Sequence, residues 1–454
     1  MSEKYDQTQK NEVKLKRVYG FPSLVFFGLV FMGPSIILTI FGTEQITTNG
    51  HVTLAMAIAA AIAVVSCLSY AKMVEVFPSA GSSYTFTTKG VNPKLGFMAG
   101  WVMLVDYCVS PMFMFAVCGR YFSRMYPVFS WQVWVLIIAA IVLIMNVLGL
   151  KASKLFNLSA GILQLALALL LSVLGVVYLN TNGAPEPAST VIFDAGDFTA
   201  MGLFAGMAVA FMSYLGFDGI TTLAEESTVS PKKMGHAIVL CVVLQGICLT
   251  GVGFICAMMM PRAADIANPD TVGVDLYNMV QSSTVFTNVC MTIKQVLVIM
   301  AAVNVTAAAT RLMYAMGRQG VISNRVFGKL NKRFHTPVRN IIIVVILYCI
   351  GALFLDWVTL TEVVSYGGLC GFICVNIAVI NYFWIQKRDR KHIWRCLILP
   401  VIATLADVFA ICFASAPCKI LGVSWTIIGI IYLIVRYKTS SQFREAIDSG
   451  KMMD

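Results

Sequence analysis

Four of the ionisable residues inside apolar runs of this chain most need a reason to be there. Asp218 follows Ser213, Tyr214 and Gly216 in "AFMSYLGFDGITTLAEES", residues 210–227. Asp106 precedes Tyr107 in "WVMLVDYCVSPM", Lys294 sits in "CMTIKQVLVIM", and Asp407 lies in the eleventh apolar run. An ionised carboxylate at the centre of a bilayer-spanning helix costs about 2.5–3.5 kcal/mol on insertion scales, so it is retained mostly for function. A carboxylate here can pair an ammonium group or carry a proton, and Tyr107 can cover a cation with its ring. Tyr214, one helical turn before Asp218 on the same face, is expected to pack over a ligand. Each residue also has a plain structural reading. Asp218 could bond the hydroxyls of Thr221 or Thr222, Asp106 could satisfy a neighbouring helix, and Tyr214 could be a core tyrosine. Lys294 either snorkels from the outer half of its helix or faces a vestibule, where it would repel dications and attract carboxylates. Asp407 serves packing or a dimer face.

The elements that must position these residues are membrane spans. Of 454 residues, 58% are hydrophobic and 12% charged, against about 25% charged in soluble domains. Twelve apolar segments reach the roughly 20 residues a spanning helix needs. They centre on 21–43, 52–77, 96–119, 131–150, 156–179, 200–223, 236–260, 285–310, 338–357, 361–385, 394–415 and 419–436; segment 8 is the weakest, because it holds Lys294 and many Ala and Thr. With both ends cytoplasmic, 28 of the 33 Lys and Arg fall on the inner side and only Arg120, Arg124, Arg262 and Lys419 on the outer. The positive-inside rule therefore predicts that orientation. It also accounts for the net charge of +11 without nucleic acid. Residues 1–19 read as a cytoplasmic tail rather than a signal peptide, 20–437 as the membrane domain and 438–454 as a second tail. The 13 cysteines are an odd number without a C-x-x-C motif and read as small buried residues. The four histidines are dispersed, so no metal site is expected, and the stretch "TNGAPEPAST" between segments 5 and 6 reads as a plain linker.

Two spans are interrupted. Segment 1 carries Gly33-Pro34-Ser35 at its middle, and segment 6 carries the Tyr214–Asp218 stretch. They stand five segments apart and run in opposite directions, the pattern of a five-plus-five inverted repeat whose first helices are broken. The repeats are expected at about 20–180 and 199–386, with accessory helices at about 393–437. Broken backbone at membrane depth is tolerated only where it lines a cavity, so the breaks predict a polar ligand site at the midplane.

At these residues the chain resembles the amino acid–polyamine–organocation transporter superfamily. "FMSYLGFDGITTLAEES" resembles its segment 6 signature, "FPSAGSSYTFTTKGVNPKLGFMAGW" its loop 2–3, and "TRLMYAMGRQGVI" the end of its segment 8. Within the superfamily the motifs are most similar to those of bacterial putrescine importers. The resemblance implies the twelve-helix, all-α inverted-repeat fold, alternating access, a ligand between the two breaks, and a gate acid at Asp218. It also implies a multi-pass protein of the bacterial inner membrane.

The resemblance also frames three departures. Pro34 lacks an N–H, so the first break offers one donor fewer to a substrate carboxylate. Gln164 stands where some relatives carry a proton-cycling lysine, so proton coupling would fall to a carboxylate. Lys294 inside segment 8 is the third. Glu225 and Glu226, near Lys232 and Lys233, read as a solvated gate or a loop ion pair. The expected function is a proton-coupled importer of a putrescine-like amine, bound by Gly33, Pro34, Ser35, Asp106, Tyr107, Ser213, Tyr214, Gly216 and Asp218, with Glu225, Lys294 and Gln164 in gating. An amino acid permease is the alternative within transport, and a non-transporting sensor the alternative outside it. Nothing in the sequence points to an enzyme or a cofactor.

Overall fold

The computed structural model describes residues 17, 19–78, 82–149, 154–318, 323–331, 333–334 and 336–448. Apart from one bridge between Tyr19 and Ser227, the regular structure among them is helical. Ten helices are long and apolar enough to cross a membrane, and two shorter apolar helices, Trp131–Val147 and Val338–Phe354, bring the segments to twelve. Segments 1 and 6 are the interrupted ones. Segment 7, Pro231–Met259, packs along segment 2, Val52–Val76. Segment 3, Pro93–Met125, packs against segment 8, Thr284–Arg318, and segment 10, Trp357–Val379. Helix starts follow local chemistry: Asn92, Ser230 and Asp356 cap segments 3, 7 and 10 with their side chains, and Pro93 and Pro231 occupy first-turn positions, where a missing N–H costs nothing.

The structure adds detail at several expected boundaries. Segment 8 is the longest helix described, at 35 residues, because Ala and Thr weaken hydropathy without breaking a helix. Segment 1 continues to Thr47, which brings Glu44 inside it. Loop 2–3 contains a helix, Ser82–Gly90, and the expected plain linker contains a short one, Ala188–Ile192. The described ends of the chain lie on one face: Tyr19 N–H donates to the carbonyl of Glu226 (3.1 Å), and Phe443 packs on Phe97 at the start of segment 3. Burial, then the nearby Glu226 carboxylate, pushes the Tyr19 hydroxyl above its ordinary pKa.

On the opposite face a strap, Pro269–Val280, is held to the end of segment 3. Arg124 pairs with both carboxylate oxygens of Asp275 and donates to the Thr271 carbonyl at 3.0 Å. Arg120 pairs with Asp270 at 3.2 Å. Between them Tyr121 donates to the Leu38 carbonyl (2.5 Å) and accepts from Gly273 N–H (3.3 Å). Asp407, fully buried, accepts from Ser66 Oγ (3.2 Å) and Asn376 Nδ2 (3.1 Å). It ties segment 11 to segments 2 and 10, so packing, not a dimer face, accounts for it.

Small residues let segment 6 approach the second half of segment 1, Ile37–Thr47. A Cβ at Gly206 would stand 2.1 Å from Thr48 Cγ2, and one at Gly202 would stand 2.8 Å from the Thr47 carbonyl. This is the close backbone approach that small-xxx-small faces permit. Gly206→Leu is therefore expected to destabilise the folded protein by about 1–3 kcal/mol, the usual cost of overpacking. A thermal melt of the detergent-solubilised variant that matches wild type would contradict this contact.

Candidate substrate cavity

The first break is built by two residues with special backbones. The helix Phe21–Met32 ends at Gly33, whose φ of 68° is left-handed and whose N–H closes on the Leu29 carbonyl at 2.9 Å. Glycine takes this conformation without a Cβ penalty. Pro34 opens a 3-10 turn, Pro34–Ile36, and the helix resumes at Ile37. Ser35 Oγ then donates to Gln164 Oε1 of segment 5 at 3.4 Å. The second break follows the same logic. The helix Ala200–Phe211 tightens through Met212–Tyr214, Leu215 is extended, Gly216 has φ 111°, and a 3-10 segment runs from Phe217 to Glu226. A Cβ at Gly216 would stand 2.4 Å from the ring of Phe31, so the second break is fitted against the end of the first half-helix.

Between the breaks and segments 3, 5 and 8 lies a cavity of about 260 Å³. Gly33, Ser35, Asp106, Tyr107, Gln164, Gly216 and Lys294 all line it. Asp106 is the one carboxylate among the described lining residues, and Ser110, one turn on, donates to its Oδ1. Tyr107 is fixed from behind, its carbonyl accepting from Tyr348 OH at 3.2 Å. Lys294 is 1% exposed, so it does not snorkel. Its Nζ donates to Thr39 Oγ1 and sits 4.6 Å from the centre of the Tyr121 ring.

Other expected residues lie elsewhere. Tyr214 is fully buried, but its hydroxyl donates to the Met56 carbonyl (3.2 Å) on segment 2, and it does not line the cavity. The same-face argument assumed a continuous α-helix; the extended Leu215 and left-handed Gly216 rotate Asp218 away from Tyr214. Ser213 is buried as well, and its carbonyl accepts from Gln245 Nε2 at 3.2 Å. Pro34 is buried at the break and contributes no lining surface. Asp218 stands beside the cavity, not in its wall. It lies in the first turn of the 3-10 segment and accepts from Ser82 Oγ, at the start of the loop 2–3 helix, at 3.4 Å. Thr221 and Thr222 bond the Asp218 and Gly219 carbonyls instead of the Asp218 carboxylate. Glu226 acts through its backbone carbonyl, and the side chain of Glu225 lies outside the described residues.

Sequence reasoning missed Ser110, Thr39, Tyr121 and Glu44. Ser110 was open to inference, because i and i+4 share a helix face. Glu44 is fully buried, and neither carboxylate oxygen has a hydrogen-bond partner among the described residues. Its signal was hidden because the apolar run stops just before it.

Twelve spans, two interrupted helices and a cavity between them are the architecture of a membrane carrier. The chain belongs to the amino acid permease family, whose model matches residues 11–442. It is 30% identical over 427 residues to the low-affinity putrescine importer PlaP of Escherichia coli (strain K12), covering 93% of this chain and 94% of that protein. It is 24% identical to the branched-chain amino acid permease BcaP of Bacillus subtilis (strain 168), covering 88% of each. Among solved structures, the manganese transporter mutant H236A of Eremococcus coleocola shares the fold, with a TM-score of 0.54 over 96% of this chain and 99% of that one, at 10% identity.

Any side chain at position 216 meets both a left-handed backbone and the Phe31 ring. Gly216→Leu is expected to abolish uptake while the protein still reaches the membrane. Uptake assayed alongside membrane abundance checks this, and normal transport by a well-expressed variant would remove the second break from the site.

Proposed function

We propose that this protein is a secondary importer of a small amine, moved by alternating access and driven by protons. The observation that carries this reading is Asp106: a carboxylate in the cavity wall, its Oδ1 already accepting from Ser110 and its neighbour Tyr107 lining the same wall. A protonated amine supplies the charge-assisted hydrogen bond this acid calls for, and an aromatic ring beside it favours a cation. The break at Pro34 offers one amide fewer to a carboxylate. PlaP is a putrescine importer, which makes putrescine a first probe of the amine end. The amino acid reading draws on Lys294 in the cavity wall and on BcaP. In this reading the face carrying the tails is cytoplasmic, as the Lys and Arg distribution favours, and the membrane is the bacterial inner membrane.

Protons are assigned to Asp218. It bridges segment 6, just past the break, and the loop 2–3 helix through Ser82, a tie that depends on the state of one carboxyl group. Gln164 cannot cycle a proton, and in this reading it steadies the first break through Ser35.

Two measurements test the parts separately. Asp106→Asn is expected to weaken the apparent affinity for putrescine about tenfold to a hundredfold, since hydrogen bonds to charged groups are worth about 1.5–3 kcal/mol. An unchanged KM in proteoliposome uptake would remove the amine from Asp106. Asp218→Asn is expected to keep counterflow exchange and lose accumulation driven by a pH gradient; a variant that still concentrates substrate with the wild-type pH profile would remove the proton from Asp218.

A further inference from the structure

Lys294 is the lining residue that the amine reading leaves without a task. It is 1% exposed, its Nζ donates to Thr39 Oγ1, and no carboxylate pairs with it among the described residues. An ammonium carries three donors, and Thr39 accepts one of them. Lys294 and Thr39 both line the same cavity as Asp106. A buried charge without an opposite charge is costly unless something supplies one, and the open side of this group is a cavity of about 260 Å³.

The placement of the two charges is fixed by helix geometry. Segment 3 contributes Asp106 through Val117 to the cavity, and antiparallel segment 8 contributes Lys294 through Val305. Each stretch covers about three helical turns, or about 16 Å of rise. Asp106 stands at the tail-side end of this slot and Lys294 at the other. Thr39 lies one turn beyond Ser35 on segment 1, about 6 Å further along the axis. A substrate held at the break with its amine toward Asp106 therefore directs its far end toward Lys294.

We infer that Lys294, with Thr39, forms a second, carboxylate-accepting subsite at the far end of the cavity. The inference rests on the amine reading and narrows it. The preferred cargo is an amine that carries a carboxylate at its other end, and a second ammonium there is disfavoured. Lys294 is thus a specificity residue, with Tyr121 positioning it by ring contact at 4.6 Å.

The test is direct uptake of radiolabelled butylamine, putrescine, 1,8-diaminooctane and 8-aminooctanoate by the full-length protein in proteoliposomes. These share an alkylamine end and differ in far-end charge and length, and the eight-carbon chains are long enough to reach from Asp106 to Lys294. Wild type is expected to take 8-aminooctanoate at least tenfold better, in kcat/KM, than butylamine or 1,8-diaminooctane. Lys294→Met is expected to erase that advantage while butylamine uptake persists, which also shows that the variant is folded. Lys294→Arg is expected to keep the wild-type order, and Lys294→Glu to favour 1,8-diaminooctane. Butylamine or 1,8-diaminooctane handled by wild type as well as 8-aminooctanoate overturns the subsite, whether or not Lys294→Met folds. An unchanged ratio in Lys294→Met overturns it too. If none of the four amines is taken up, the amine reading itself falls and the subsite with it, an outcome separate from uptake that ignores far-end charge.

Discussion

Inside a bilayer a backbone N–H or C=O has no water to bond, so each must find its partner within the protein. Segments 1 and 6 break this pattern at Gly33–Ile36 and Leu215–Gly216, and the rest of the fold is arranged around the consequence. The loose ends cannot face lipid. Segments 3, 5 and 8 close over them, and Gln164 reaches from segment 5 to Ser35. The two breaks also lean on each other, with Gly216 against Phe31. A cavity within the protein, with a few polar groups in a mostly apolar wall, is therefore the structural remedy for interrupted helices, and a binding site comes with it.

The same constraint sorts the buried ionisable residues. Asp407 is satisfied by Ser66 and Asn376 and holds helices together. Asp106 and Lys294 keep free bonding capacity and face the cavity. Asp218 lies between these cases, tied by one long hydrogen bond to a neighbouring helix. Full satisfaction marks a structural role; partial satisfaction next to open volume marks a place for a ligand or a proton.

The breaks were legible because proline and glycine disrupt helices through local chemistry that any context must obey. Segment count was legible for a similar reason, since hydropathy over a span is a local sum. Side-chain direction beyond a break was not. Tyr214 and Asp218 share a face only if 3.6-residue periodicity holds, and a single left-handed glycine cancels it. The depth of Lys294 was equally hidden, because Thr39 and Tyr121 come from segments 1 and 3. Arg120 and Arg124 read as exceptions to a charge rule, whereas their partners Asp270 and Asp275 lie some 150 positions further along the chain. Local patterns carried the architecture, and contacts between distant segments decided which residues meet.

Segments 4 and 9 have a consequence for the lipid around the protein. Each is a helix of 17 residues, about 25 Å long at 1.5 Å per residue, against a hydrocarbon core of about 30 Å. They pack side by side, and Thr336, just before segment 9, donates to the Val147 carbonyl at the end of segment 4 at 2.9 Å. The shortfall is therefore concentrated in one flank of the molecule. Acyl chains there meet a shorter apolar face, while those beside the 35-residue segment 8, which exposes Val285, Val289 and Val296, meet no such shortfall. Mismatch of this kind carries a modest elastic cost per ångström, so membrane thickness acts on one side of the carrier, as a lateral bias on the helices that flank its cavity.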